Sequence, residues 1–419
     1  MTSAEGDGRL ARRLGLTDAI IIGLGAMLGA GVFAAPAPAA AAAGRWLLAG
    51  LAIAAAVAYA NATASARLAA VYPQAGGTAV YAREQLGPLW GFLAGWAFVV
   101  GKTASLAAMA LTFGSYAWPS SSSGAARLVG IAAVIVLTAV NVLGVEKTAR
   151  LTRAIVAVVV AVLALVIAAA WLGQPLRASD LSVAVPGVRD VLQSAGLLFF
   201  AFAGYARLAT LGEEVRDPQR TIPRAVLIAL GIVVTVYAAV LAAALYALGA
   251  QGLATATAPL AAVVEAGRWA AAAPVVRVGA AVASAGVLLS LLAGVSRTTL
   301  ALARRGELPR WLDALHPRYR TPHRAEIAAA AIVIAVVAVA DVRGAIGFSS
   351  FAVLGYYALT NMSAWTLDPC PAARILSAFG VIGCVILAFS LPATAVIGGA
   401  AILMVGLATH GVRRRGPVG

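Results

Sequence analysis

The sequence predicts an all-α polytopic membrane protein with about twelve transmembrane helices. Of its 419 residues, 62% are hydrophobic and 11% are charged, whereas soluble domains have about 45–50% and about 25%. This composition excludes a water-soluble enzyme. Runs such as residues 154–171 are apolar at nearly every position, while the strands of a membrane β-barrel would alternate apolar and polar side chains. The spans are therefore predicted to be helices of about 20 residues each.

Twelve apolar stretches bounded by charge, proline or glycine mark these spans in order. They cover residues 17–40, 46–70, 88–116, 125–145, 151–172, 190–212, 223–249, 274–303, 325–341, 345–366, 372–390 and 392–410. The connections between them are too short for a soluble domain. Residues 1–419 are therefore expected to form one transmembrane domain.

The basic residues lie between the apolar runs and are distributed unevenly. When alternate loops are assigned to opposite sides, about 23 of the 31 basic residues lie on the side of the termini and about seven lie on the other. This asymmetry predicts cytoplasmic N- and C-termini in the cell (cytoplasmic) membrane. The net charge of +15 is thus a topology signal, and no nucleic-acid partner is expected.

Two of the spans contain segments that a helix tolerates poorly. Residues 25–33 of the first span hold three glycines and two alanines, and residues 199–205 of the sixth span show a weaker version. Glycine weakens a helix, and unwound backbone is tolerated in lipid only where it lines a cavity. The alternative is that the small residues merely allow close packing of helices.

The two candidate breaks lie five spans apart, as expected for two inverted repeats of five helices. The repeats would cover residues 14–172 and 190–366, followed by two extra helices at 372–410. Paired interruptions at corresponding positions are typical of the binding site of a secondary transporter. Free N–H groups there would bind a substrate carboxylate, and unwound carbonyls would accept from its ammonium. Phe200 or Phe202 could form a lid.

At these residues the chain resembles the amino acid–polyamine–organocation (APC) family of permeases, which have the LeuT-type fold. The matching segments are Leu14-Gly15-Leu16-Thr17-Asp18 with Gly23, Gly25, Gly29, Gly31, Val32 and Phe33; Pro73, Gly76, Gly77 and Tyr81; Gly91-Phe92 and Gly95-Trp96; Asn141 and Gly144-Val145; Phe199 to Tyr205 with Glu213-Glu214, Asp217-Pro218, Arg220 and Ile222-Pro223; and Arg304, Gly306 and Leu308-Pro309 with His316-Pro317-Arg318 and Thr321-Pro322. They occur in order along nearly the whole chain. The resemblance implies alternating access by rocking of one helix bundle against the other. It also implies substrate contacts at Ala26, Met27, Gly29, Ala30, Gly31, Phe200, Ala201, Phe202 and Gly204.

The chain departs from the family pattern at two positions. Proton-coupled relatives often carry a lysine in the fifth span, and the corresponding position here falls near Val159. Relatives also often carry an acid two residues after the glycine of the sixth span, where this chain has Ala206 followed by Arg207. Arg207 could meet a substrate carboxylate or pair with Glu213 or Glu214; we favour the pair.

Lys102 lies inside the third span, where a charge costs about 2.5–3.5 kcal/mol on insertion scales and is a functional candidate by default. We expect Lys102 to replace the missing fifth-span lysine as the proton-coupling group. The alternative is a lysine that snorkels to the interface or pairs structurally with a carboxylate. Ser284 and Ser290 could ligate sodium, but bonding to their own helix is the commoner role of such serines.

Together these features predict a secondary active transporter for amino acids, with the proton as coupling ion and without a cofactor or a metal. An intramembrane enzyme is disfavoured because no acid pair, nucleophile or metal set lies at mid-span. Two alternatives stay open: an exchanger of amino acids or polyamines, and an amino acid sensor that does not transport. The lack of an acidic partner for a cationic side chain favours neutral amino acids over polyamines.

Overall fold

A computed structural model describes residues 14–73, 76–119, 123–144, 149–173, 186–209, 215–367 and 369–415 of the chain. Over these ranges the backbone is helical almost throughout, and no strand forms. Extended pairing within them is limited to one parallel bridge between Leu14 and Val215. Residues 210–214, which include Glu213 and Glu214, lie outside the described residues.

Seventeen α-helices follow one another within these ranges. They are α1 (Leu16–Met27), α2 (Gly31–Ala34), α3 (Pro36–Ala43), α4 (Leu47–Val71), α5 (Thr78–Leu86), α6 (Pro88–Ala117), α7 (Ser123–Val142), α8 (Ala149–Gly173), α9 (Val188–Phe202), α10 (Ala206–Ala209), α11 (Pro218–Thr255), α12 (Pro259–Glu265), α13 (Ala273–Arg304), α14 (His323–Val339), α15 (Val342–Leu367), α16 (Pro371–Ser390) and α17 (Ala393–Arg415). Helices α5 and α12 are short connections that the hydropathy pattern did not predict.

The polytopic helical membrane fold is confirmed. Eleven helical segments in the described ranges are long and apolar enough to cross a membrane. The remaining predicted span, residues 325–341, corresponds to α14, which has 17 residues. At 1.5 Å per residue this helix is about 26 Å long, close to the thickness of about 30 Å of a hydrocarbon core.

Both predicted helix breaks are present. In the first span α1 ends at Met27 and α2 begins at Gly31. Ala35 keeps helical dihedral angles, so that α2 continues into α3 until the chain turns at Gly44, whose φ is 55°. In the sixth span α9 ends at Phe202 and α10 begins at Ala206. The division into two inverted repeats stays a prediction.

Helix α6 lies at the centre of the molecule. It packs against α5, α7, α13, α14 and α15 and is buried along most of its length, whereas α17 is largely exposed. Of the broken spans, α2 contacts α6 directly, while α9 contacts α3 and α4, and α1 contacts α8 and α11. Helix α6 also reaches the second break through the side chain of Lys102.

A buried polar cluster joins α4, α15 and α16 beside the second break. The amide nitrogen of Asn361 donates to Oδ1 of Asn61 at 2.6 Å and to the carbonyl of Tyr357 at 2.9 Å. The amide nitrogen of Asn61 lies 3.3 Å from Sγ of Cys384. Asn61, Asn361 and Cys384 have no exposed surface. Because such groups cannot turn to water, their mutual bonds hold the three helices in register.

We expect Asn361→Leu to lower the free energy of unfolding by about 1–3 kcal/mol, because it removes a donor from a buried amide oxygen. Thermal unfolding of the purified protein in detergent measures the change. The matched control is Met362→Leu, a volume-conserving change of the next, half-buried residue. Equal melting temperatures for the two variants would contradict a stabilising role for the cluster.

Candidate substrate site at the helix breaks

The two breaks touch each other backbone to backbone. A Cβ atom on Gly204 would lie 2.8 Å from the Met27 nitrogen and closer still to the Ala26 carbonyl oxygen. A Cβ atom on Gly31 would lie 2.7 Å from Cα of Ala201. Real Cβ atoms do not approach this closely, so only glycine fits at these two contacts. The small residues thus serve close packing as well as unwinding, which the sequence analysis weighed as alternatives.

The predicted site residues are therefore brought together. Gly29 faces Val287 of α13, with no room for a side chain, and Ala30 has no exposed surface. Phe202 has no exposed surface, and its ring stacks obliquely on Tyr237 with 5.2 Å between the centroids. Phe200 is 9% exposed. Of the two predicted lid residues, Phe200 is thus the one not seated against a neighbouring ring.

The breaks leave backbone donors unpaired. The last turn of α1 closes from Leu28 to Leu24 at 2.7 Å, and the next backbone donor with a partner in the irregular segment is Phe33, bonded to Ala30 at 3.1 Å. In the part of the chain that the structure describes, the N–H groups of Gly29, Ala30 and Gly204 have no hydrogen-bond partner. Buried backbone N–H groups are rarely left without a hydrogen-bond partner. They are suited to bind a carboxylate.

Three carbonyl groups of the breaks, unlike these N–H groups, have side-chain donors nearby. The Tyr237 hydroxyl lies within hydrogen-bond distance of the Met27 carbonyl and, at 3.1 Å, of the Ala201 carbonyl. The Ala203 carbonyl accepts from Nζ of Lys102 at 3.2 Å and from the Tyr357 hydroxyl at 3.3 Å. Side chains from other spans would thus compete with a substrate ammonium at the Ala203 carbonyl and, through the single hydrogen of Tyr237, at one of the other two carbonyls. Binding of the ammonium by unwound carbonyls stays a prediction.

Tyr237 and Tyr357 are functional candidates that the sequence analysis missed. Each lies in a membrane span, on α11 and α15 respectively, and is at most 2% exposed. The available signal was a tyrosine within an apolar run, because a buried hydroxyl requires a partner. The sequence does not reveal which backbone carbonyl that partner is.

Lys102 connects α6 to the second break. Its side chain is 8% exposed, so it does not snorkel to the surface. Within the described ranges, no carboxylate lies within 4.0 Å of its ammonium. Its contact is instead with the Ala203 carbonyl. The structure therefore places this cation directly beside the second break.

A small apolar cavity lies beside the first break, between α1, α8 and α13. Its lining residues are Gly25, Leu28, Gly29, Ile155, Val156, Val159, Ala283, Gly286 and Val287. Val159 thus faces the first break from the fifth span and offers no titratable group there. Ser284 and Ser290 donate to carbonyls of their own helix, at 2.8 and 3.0 Å. Among the described residues, no group of three or more His, Cys, Asp or Glu is arranged to hold a metal ion.

Arg207 lies in α10 and is exposed. The carboxylates that we expected as its partners, Glu213 and Glu214, lie outside the described residues. Its role stays open between a substrate contact and a structural pair.

Comparisons with known proteins identify the family of this chain. The family model described as amino acid permease matches residues 14–410. An uncharacterized transporter of Mycobacterium tuberculosis is 59% identical over 97% of this chain and 92% of its own length. A serine/threonine exchanger of Bacillus subtilis is 27% identical over 75% of this chain and 74% of its own. A branched-chain amino acid permease of Bacillus subtilis is 23% identical over 77% and 74%. The chain is a transporter that belongs to the amino acid permease family.

Proposed function

We propose that this protein is a proton-coupled secondary transporter that moves amino acids across the cytoplasmic membrane by alternating access. The observation that carries the proposal is the contact between the Lys102 ammonium and the Ala203 carbonyl in the second break. It joins a group that can gain or lose a proton to the backbone of the candidate substrate site. Family membership supports transport rather than catalysis.

The contact supplies a physical link between protonation and movement. A hydrogen bond from an ammonium is roughly twice as strong as one from a neutral donor. Loss of the proton therefore weakens the attachment of the second break to α6 and frees the broken span to shift. The Tyr357 hydroxyl would still donate to the Ala203 carbonyl, so the attachment would be weakened but not lost.

Contacts at the end of α1 near the N-terminus would have to change during such a movement. Asp18 of α1 pairs with Arg153 of α8, and the Arg216 nitrogen donates to the Leu14 carbonyl at 2.9 Å. Both contacts join segments next to the broken spans. Opening of the site toward this side would separate them.

The names of two relatives, a serine/threonine exchanger and a branched-chain amino acid permease, support amino acids as substrates. Polyamines are disfavoured because Lys102 brings a positive charge into the site. Exchange of amino acids is the second candidate function, which the exchanger among the relatives favours. A sensor that binds without transport would use the same site.

Reconstitution into liposomes tests the proposal. Uptake of a labelled amino acid mixture would be measured with acid outside, at symmetric pH, and into vesicles preloaded with unlabelled amino acids. Accumulation only with acid outside is the expected result. Uptake only into preloaded vesicles would make the protein an exchanger. Binding without uptake in any condition would make it a sensor.

We also propose that both termini are cytoplasmic. The two native cysteines provide a test of this orientation. With the N-terminus inside, the connection between α15 and α16 that holds Cys370 is cytoplasmic, since it follows the tenth span. Cys370 is exposed and Cys384 is buried. An impermeant maleimide should label the protein only after the cells are permeabilised, and Cys370→Ser should abolish the labelling. Labelling in intact cells would show that the orientation is the opposite of the proposed one.

A further inference from the structure

The hydrogen-bonding groups of the two breaks are unequally available to a ligand. A carbonyl oxygen has two lone pairs, and the Ala203 carbonyl already accepts from two donors, Lys102 and Tyr357. The Tyr237 hydroxyl lies within hydrogen-bond distance of the Met27 and Ala201 carbonyls, but its one hydrogen can be donated to only one of them at a time. A substrate ammonium would therefore meet the strongest competition at the Ala203 carbonyl.

Donors, in contrast, remain open. The N–H groups of Gly29, Ala30 and Gly204 lack partners in the described part of the chain. An ammonium has three N–H groups, and the contact to Ala203 uses one of those on Lys102. The surroundings of the breaks therefore offer several donors to the carboxylate of a ligand.

The positive charge of Lys102 also favours an anionic ligand. Lys102 is more than nine-tenths buried, and no carboxylate within the described ranges balances it. A buried charge is costly unless an opposite charge pairs with it. A cationic ligand would add repulsion, a ligand with zero net charge would leave the ammonium unbalanced, and an additional carboxylate would balance it.

From the open donors and the unbalanced charge of Lys102 we infer that the site takes substrates with a net negative charge, in the first place acidic amino acids. One carboxylate binds the free N–H groups of the breaks and the second pairs with Lys102. The two positions are neighbours, because Ala203 precedes Gly204, and Gly204 touches Ala26 and Met27 of the first break. This inference rests on the proposed transport of amino acids and narrows its substrate class.

Glutamate and glutamine provide the test, because they have nearly the same shape and differ by one negative charge. Dissociation constants of both, and of ornithine as a cationic analogue, would be measured on the purified full-length protein by titration calorimetry. We expect glutamate to bind at least about tenfold more tightly than glutamine, and ornithine to bind most weakly. In Lys102→Met the ratio of glutamate to glutamine affinity should fall toward one through loss of glutamate binding. Lys102→Arg should restore part of it.

The control variant is Thr103→Val, whose hydroxyl donates to the carbonyl of Val99 in its own helix and should leave the ratio unchanged. If Lys102→Met does not fold, the inference is tested by the ratio of glutamate to glutamine affinity in the wild-type protein and in Lys102→Arg. Glutamine binding as tightly as glutamate to the wild-type protein would overturn the inference and leave amino acid transport intact. Failure to bind or transport any amino acid would overturn the proposed function, and the inference with it.

Discussion

Gly204→Ala is expected to abolish amino acid uptake. The added methyl group would lie against the backbone of Ala26 and Met27, which cannot rotate away as a flexible side chain could. Overpacking of this kind costs about 1–3 kcal/mol or more, which corresponds to about a 5- to 150-fold loss of affinity if the cost falls on the substrate-bound state. Gly31→Ala should act in the same way through its contact with Ala201. Uptake into liposomes measures both effects.

The matched control for these variants is Gly355→Ala. Gly355 is a half-buried helical glycine of α15 at which an added Cβ meets nothing within 4 Å. It should transport normally and, because alanine favours helices, unfold at the same or a higher temperature. Melting curves of all three variants separate loss of folding from loss of transport. Wild-type uptake by Gly204→Ala would show that the breaks do not need their close contact.

Lys102→Ala is expected to lose accumulation driven by a proton gradient while it keeps exchange. With one proton moved per substrate, a gradient of one pH unit supports about tenfold accumulation, and the variant should show none. The reason is that removal of the ammonium takes away the protonatable donor to the Ala203 carbonyl. The Tyr357 hydroxyl remains there to hold the break.

The measurement compares uptake of labelled glutamine with acid outside and uptake into vesicles preloaded with unlabelled glutamine. Glutamine is chosen because its binding should depend least on the charge of Lys102. Thr103→Val, one residue further along α6, should behave as the wild-type protein in both assays. Full gradient-driven accumulation by Lys102→Ala would refute the coupling role. Loss of both activities would indicate that Lys102 serves binding or structure instead.

Much of the fold could be predicted because its determinants are local. A run of about 20 apolar residues is enough to predict a span, and the boundaries of α6, α13 and α15 agree with the hydropathy pattern to within a few residues. Helix α11 departs more at its start, which lies at Pro218, because proline in the first turn is compatible with a helix. The chain leaves helical geometry at Gly249, where φ is 67°, the residue at which the hydropathy pattern ended this span.

The candidate site was predictable in part for the same reason. Glycine-rich segments weaken a helix wherever they occur, so residues 25–33 and 199–205 indicated the breaks without knowledge of any partner. Lys102 was conspicuous because a charge within an apolar run is rare. Val159, near the fifth-span position where proton-coupled relatives often carry a lysine, lines the small cavity beside the first break.

The sequence by itself thus determined the membrane class, the spans, the two breaks and the unusual lysine, since each follows from the composition of one short segment. Only the tertiary structure decided which groups meet at the breaks. Lys102 reaches a carbonyl 101 positions away, and Tyr237 reaches one 210 positions away. Such pairings depend on how distant helices pack, because a buried donor bonds to whichever acceptor the packing brings within about 3 Å. Helix packing therefore decides which side-chain donors reach the carbonyls of the breaks and which N–H groups stay open.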